Sequence, residues 1–253
     1  MTYCVGIALD DGLVFASDSR TSAGIDQVLT YSKMHQFQWD DDRFIMLLSS
    51  GNLATTQLLV RRLEMEMQQE GVGVTLKNAN SMVDLAEHVG QLSVSIQNNH
   101  QDGLKQDNTL YEASFILGGQ IGRQPMELFL IYPQGNYITP SSYGPFLQIG
   151  ETKYGKPILD RIIRPGTTLD DAARCALVSL DSTIRSNLSV GPPVDLAIYH
   201  KDHLKLSVRR TLQRKSPIFE ELRSTWNQGL LNLFHQLPAF DWENTGEEHG
   251  ENS

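Results

Sequence analysis

Cysteine is scarce in this sequence, whose 253 residues carry only Cys4 and Cys175. Two distant cysteines make no disulfide scaffold, and separate reduced thiols are the expected state. Long apolar runs are missing too. The stretch Tyr3–Leu9 is long enough for a strand and far too short to cross a bilayer. No basic leader with an apolar core stands before it, so the reading is a cytoplasmic protein without a membrane partner. Positive charge is in deficit: 21 Lys and Arg against 30 Asp and Glu leave a formal charge of −9. Such an average surface argues against nucleic-acid partners. The seven histidines form no compact metal motif. His200-x-x-His203 falls in an expected hairpin, where alternation puts the rings on opposite faces, unlike the helical HExxH arrangement. No glycine-rich loop carries a Walker lysine. No metal and no cofactor are therefore expected, and any ATP-driven unfolding partner is a separate protein.

What is present is an ordinary globular composition, 40% apolar and 20% charged, with clear punctuation. Tyr3–Leu9 and Leu13–Ala16 are short apolar runs around the turn signal Asp10-Asp11-Gly12. Ser19 to Thr30 is polar and contains Gly24, which predicts a loop or a short irregular hairpin. Phe44–Leu48 predicts another strand, ending in Ser49-Ser50-Gly51-Asn52. Val60, Leu63 and Met67 then recur at helical spacing, as do Leu85, Val89, Leu92 and Ile96 after a Gly71–Gly73 turn. Strands are expected at Ala113–Leu117, Leu128–Tyr132 and Phe146–Ile149. A helix after Asp170 shows Ala173, Ala176, Leu177, Leu180 and Ile184 on one side, and a hairpin pairs Val194–Tyr199 with Leu204–Val208. A last helix over about Ser216–Leu237 has Pro217 in its first turn and an apolar face of Phe219, Leu222, Trp226, Leu230, Leu233 and Leu237. The order βββ-αα-βββ-α-ββ-α suits two sheets between helical layers. No linker or repeat divides the chain, so one domain is expected over 1–242, with a polar tail at 243–253.

The chemistry-bearing residues begin at the N-terminus. Met1 precedes Thr2, a residue small enough to permit removal of the initiator methionine. A terminal threonine carries a hydroxyl nucleophile and a base together, because an α-amine titrates near neutrality. Asp18-Ser19-Arg20 closes the second strand, and Lys33 follows the polar loop. A lysine beside Thr2 would depress the amine's proton affinity, and Asp18 would orient that lysine. The plainer reading of the same residues is a surface Asp–Arg pair and an exposed lysine.

Thr2, Asp18-Ser19-Arg20, Lys33 and Ser50-Gly51 together resemble the proteasome β-subunit pattern. The segments MTYCVG, FASDSRT and FLQIGETKYGKPILDR resemble the bacterial ancestral β-subunit group, Anbu. The resemblance spans most of the chain. It implies an α+β fold, the four-layer αββα sandwich of Ntn-hydrolases, and self-association into a ring or an open helical assembly. It implies an N-terminal threonine hydrolase, a self-compartmentalising peptidase or amidohydrolase acting on a peptide or amide through an acyl-threonine. Thr2 is then the nucleophile, Lys33 tunes it, Asp18 holds Lys33, and the Gly51 N–H stabilises the oxyanion. Ser189 matches a supporting serine, and Arg20 and Ser50 flank the site, Ser50 as a turn residue. Two positions depart from the pattern. Glu151 stands where a catalytic serine is usual, and Ser186 where an aspartate is usual. Glu151 reads either as a solvated turn residue or as a replacement for lost negative charge. These departures motivate a competing reading, an assembly scaffold or binding protein with weak or specialised chemistry.

Overall fold

The computed structural model describes residues 1–22, 28–69, 71, 73–103, 111–240 and 242. Gly24 and the 243–253 stretch lie outside them. The chain opens with β1 (Tyr3–Leu9), β2 (Gly12–Asp18), β3 (Arg20–Ser22), β4 (Val28–Thr30), β5 (Met34–Trp39) and β6 (Arg43–Gly51). Two helices follow, α1 (Leu53–Glu66) and α2 (Met82–Gly103), then β7 (Ala113–Ile121), β8 (Glu127–Ile131), β9 (Tyr137–Ile138) and β10 (Phe146–Gly150). The rest is α3 (Thr152–Ile162), α4 (Leu169–Ser186), β11 (Val194–His200), β12 (Val208–Leu212) and α5 (Pro217–Phe234).

Two antiparallel five-stranded sheets form, ordered β10-β1-β2-β11-β12 and β5-β6-β7-β8-β9, with β3-β4 as a separate hairpin. Alternation along the strands decides which face meets which layer. On β1, Tyr3, Val5, Ile7 and Leu9 join Val14 and Ala16 in a core shared with α3, α4 and Phe219 of α5. The intervening Cys4 joins Leu13 and Phe15 against Phe44, Met46, Leu48 and Ile116 of the other sheet. The far side of that sheet, through Ile45, Leu47, Phe115 and Leu117, packs on Leu59, Leu63, Leu85 and Val89 of α1 and α2. The layers are thus helices, sheet, sheet, helices, the expected αββα sandwich. Both cysteines are buried and free. Among the described residues no helix is long and apolar enough to cross a membrane.

Several elements differ from the sequence expectation. The stretch 152–162 is helical although it contains Gly155 and Pro157. A Cβ on Gly155 would run into the Ser179 and Tyr3 hydroxyls, so close packing against β1 and α4 explains the glycine. Met34–Trp39 is a strand paired along its whole length with β6, which supplies register that its polar sequence does not advertise. The strand after β11 is Val208–Leu212 rather than Leu204–Val208, because Asp202 and Leu204 adopt positive φ and extend the turn. The apolar face expected on α5 is only partly covered. Phe219 is buried, whereas Leu230, Leu233 and Leu237 are exposed.

Candidate active site

The first residue of the candidate site is held by strand pairing. β1 pairs antiparallel with β10, setting Tyr3 opposite Gly150. One step further out, the Glu151 N–H donates to the Thr2 carbonyl at 2.7 Å. Tyr3 is fixed at both ends. Its N–H donates to Asp18 Oδ1 at 3.0 Å, and its hydroxyl meets Ser179 Oγ at 2.5 Å and the Gln148 amide at 2.5 Å. Burial pushes that hydroxyl's pKa well above the usual phenol value, so it serves as a neutral strut.

Asp18 ends β2 in full burial, and Lys33, between β4 and β5, is only 5% exposed. The surface ion pair and exposed lysine of the plainer reading are thus not what the fold builds. Lys33 Nζ donates to Asp18 Oδ1 at 2.6 Å and to the Arg20 carbonyl at 2.8 Å. The Gly191 N–H donates to Asp18 Oδ2 at 3.1 Å. Burial pushes the Asp18 carboxyl upward, opposed by the Lys33 ammonium and the two N–H donors. The Lys33 carbonyl receives the Ser49 N–H at 3.0 Å, which ties the lysine to the strand that ends at Gly51.

Gly51 closes β6 at φ 110°, and a side chain there would strike the Glu112 carbonyl. Only glycine suits that position. Beyond it, Asn52 caps α1 by accepting from the Ala54 and Thr55 N–H groups at 3.0 and 3.2 Å.

Thr2, Arg20, Lys33, Ser50, Gly51 and Glu151 all line one cavity of about 560 Å³, with Met1, Thr21, Tyr31 and Glu112. Asp18 lies behind Lys33. Ser189 and Ser186 are not among the lining residues; Ser189 is half-buried and Ser186 exposed. Their segment reaches the site through its backbone, since the Leu188 carbonyl accepts from Arg20 at 2.6 Å and Gly191 holds Asp18. Among the described residues, five buried side-chain polar atoms lack a hydrogen-bond partner, and three of them, Arg20 Nε, Thr21 Oγ1 and Glu151 Oε2, belong to cavity residues. Unspent hydrogen-bonding capacity concentrated at one cavity marks a place built to receive something polar.

Sequence reasoning passed over Asp195. It is buried in β11 and accepts from Ser19 at 3.3 Å, Ser32 at 2.9 Å and Thr211 at 2.6 Å. Through Ser32 it steadies the residue next to Lys33. The signal was a lone carboxylate inside the apolar run Val194–Tyr199. Elsewhere, His200 and His203 stack at 5.4 Å, because β11 ends at His200 and the alternation expected to separate them stops there. Among the described residues no group of three or more His, Cys, Asp or Glu could hold a metal ion.

A family model described as proteasome subunit matches residues 2–199. Among solved structures, Anbu from Yersinia bercovieri is 42% identical with a TM-score of 0.88, covering 95% of this chain and 99% of its own. The helical assembly of the Anbu complex from Pseudomonas aeruginosa is 44% identical with a TM-score of 0.90, covering 94% and 98%. Anbu from Hyphomicrobium sp. strain MC1 is 40% identical with a TM-score of 0.86, covering 95% and 100%. No curated protein matches the chain.

Proposed function

This chain belongs to the proteasome-subunit family, in its Anbu group, and from that footing we propose that it is an N-terminal threonine hydrolase acting on peptides or amides. The observation that carries the proposal is the buried Lys33–Asp18 pair at 2.6 Å against the cavity that Thr2 lines. Removal of Met1 gives Thr2 a free α-amine. The amine takes the proton from the Thr2 hydroxyl, directly or through a water, as the oxygen attacks the amide carbon. Lys33 supplies positive charge beside the developing alkoxide, and the Gly51 N–H stabilises the oxyanion of the tetrahedral intermediate. Collapse breaks the C–N bond and returns the proton to the leaving amine, leaving an acyl ester on Thr2. Water then attacks the ester with the amine as base, releasing the acid and restoring the hydroxyl. Ser189 supports this machinery from the segment whose Gly191 N–H holds Asp18.

Self-association into a ring or open helix accompanies this function. The Pseudomonas aeruginosa relative forms a helical assembly. Leu230, Leu231, Leu233 and Phe234 on α5 present apolar surface to solvent in the single chain, and association would remove it from water. Heterologous contacts close into a ring when the rotation permits and otherwise wind into a helix. A cytoplasmic setting agrees with the two free, buried cysteines.

Glu151 and Ser186 favour a second reading, a proteasome-like scaffold or binding protein with weak or specialised activity. One experiment separates the two. Intact mass and peptide mapping are recorded before and after exposure to an electrophile that requires both the hydroxyl and the amine of a terminal threonine. An adduct mapped to Thr2 supports the hydrolase. Protein that begins at Thr2, is fully assembled and forms no adduct supports the scaffold.

A further inference from the structure

Glu151 occupies the N-cap position of α3 and makes no side-chain cap bond. A carboxylate at a helix start ordinarily turns to the open N–H groups there. This one does not, and its Oε2 is buried without a hydrogen-bond partner. Among the described residues the nearest cation is the Lys153 ammonium at 3.9 Å, carried on a side chain that is 69% exposed. Such a contact is too long and too wet to satisfy a buried oxygen. The backbone meanwhile fixes Glu151 opposite Thr2 through the 2.7 Å N–H to carbonyl bond, and both residues line the cavity.

Charge makes the same point. Lys33 and Arg20 bring two cations to the cavity wall, while Asp18, the fully buried carboxylate behind them, is bonded to Lys33, Tyr3 and Gly191. Hydrolysis of the Met1–Thr2 bond moves the chain's α-ammonium, with its three N–H donors, from Met1 to Thr2 beside them. Tyr31 on the cavity wall is neutral, and Glu112 lies at the exposed rim. Glu151 is the inward carboxylate whose bonding capacity is unspent.

We propose that Glu151 is a positioning residue whose carboxylate binds the freed α-ammonium of Thr2 and sets the pH at which that amine becomes a base. The proposal rests on the threonine-hydrolase reading for its catalytic consequence, but the ion pair itself does not. Lys33 disfavours the protonated amine and Glu151 favours it, so the two charges oppose each other across one nitrogen. Neutralising Glu151 therefore moves the amine's titration to lower pH.

The test compares wild type, Glu151→Gln and Glu151→Asp, each verified by intact mass to begin at Thr2 and checked for folding and oligomer size. Trace acetic anhydride competes for the α-amine across pH, and peptide mapping reads the extent of labelling at Thr2. Glu151→Gln should lower the titration midpoint of the amine by about one pH unit, and Glu151→Asp should restore part of the shift. The acid limb of Thr2 acylation should move with it, so that acylation below the wild-type midpoint becomes up to about tenfold faster in Glu151→Gln. An unmoved or raised midpoint overturns the proposal. The expected shift in labelling with no acylation in any variant upholds the ion pair and sinks the hydrolase reading. Acylation in wild type with an unmoved midpoint does the reverse.

Discussion

Replacing Lys33 by Met tests the centre of the site most sharply. The substitution keeps the length of the stem and removes the ammonium, leaving the Asp18 carboxylate at 0% side-chain exposure without its cation. Two N–H donors remain, from Tyr3 at 3.0 Å and Gly191 at 3.1 Å. Breaking one partner of a buried pair costs about 3–5 kcal/mol, because the surviving charge stays out of water. The pH dependence follows from the direction of the Asp18 shift. Its carboxyl already lies above the ordinary 3.8, chiefly through burial, and loss of Lys33 raises it further. A group whose proton affinity is higher folded than unfolded contributes most below its unfolded value and loses that contribution as pH rises through the folded one. The deficit of the variant should therefore be largest above the folded-state value and shrink as pH falls through it. Denaturant unfolding at several pH values, beside acylation of Thr2 in the folded assembly, reads both consequences. Acylation should fall by a factor on the order of 100 or more. A pH-independent deficit below about 1 kcal/mol would refute the buried-pair account. Near-wild-type acylation in a folded Lys33→Met assembly would remove Lys33 from the mechanism.

Two other perturbations reach outside the cavity. His35 has a buried Nε2 without a partner, and burial, aided by Arg209, pulls its pKa from 6.5 down to about 4. The unfolded chain takes up that proton first, so stability should drop by up to about 3 kcal/mol as pH falls from 6.5 toward 4. His35→Leu should flatten that slope, and an unchanged slope in pH-dependent unfolding would count against it. Deleting residues 230–253 retains Phe219 and the Arg223–Asp181 ion pair that dock α5 on α4 and removes the exposed leucines. Light scattering should report loss of the large assembly with the monomer still folded; full-size assemblies would locate the contacts elsewhere.

How much was legible follows from which signals are local. Tyr3–Leu9 is read correctly from its apolar run alone, since both of its faces are buried. Met34–Trp39 hides because Gln36 and Gln38 mask a strand whose pairing with β6 is a tertiary gift. Thr152–Ile162 hides behind Gly155 and Pro157, residues that local propensity counts against a helix although Gly155 is there for the Tyr3 hydroxyl. At the site, Thr2, Asp18 and Lys33 stand out through family resemblance; composition and spacing alone leave Asp18 and Lys33 as surface charges and Thr2 as an ordinary second residue. The support from Leu188 and Gly191 is invisible in the sequence, because they act through backbone atoms that any residue owns, whereas Asp195 shows itself only as a lone carboxylate in an apolar run. Glu151 drew notice as a departure, but its unsatisfied oxygen is a fact of three dimensions.

Tyr3 carries one further consequence. With Met1 gone, Thr2 has covalent support on one side only and behaves as a beam clamped at a single end. The clamp is Tyr3, whose ring reaches through the layer to Ser179 in the middle of α4 while its amide rests on Asp18. Any displacement of α4 is delivered to the free end through one rigid aromatic lever. The α4 helix also grips α5, through Asp181 and Arg223, so a load on α5 has a mechanical line to Thr2, the proposed nucleophile. Under the proposed function, assembly through α5 and reactivity at Thr2 would be tuned by the same helix, with no ligand passing between them.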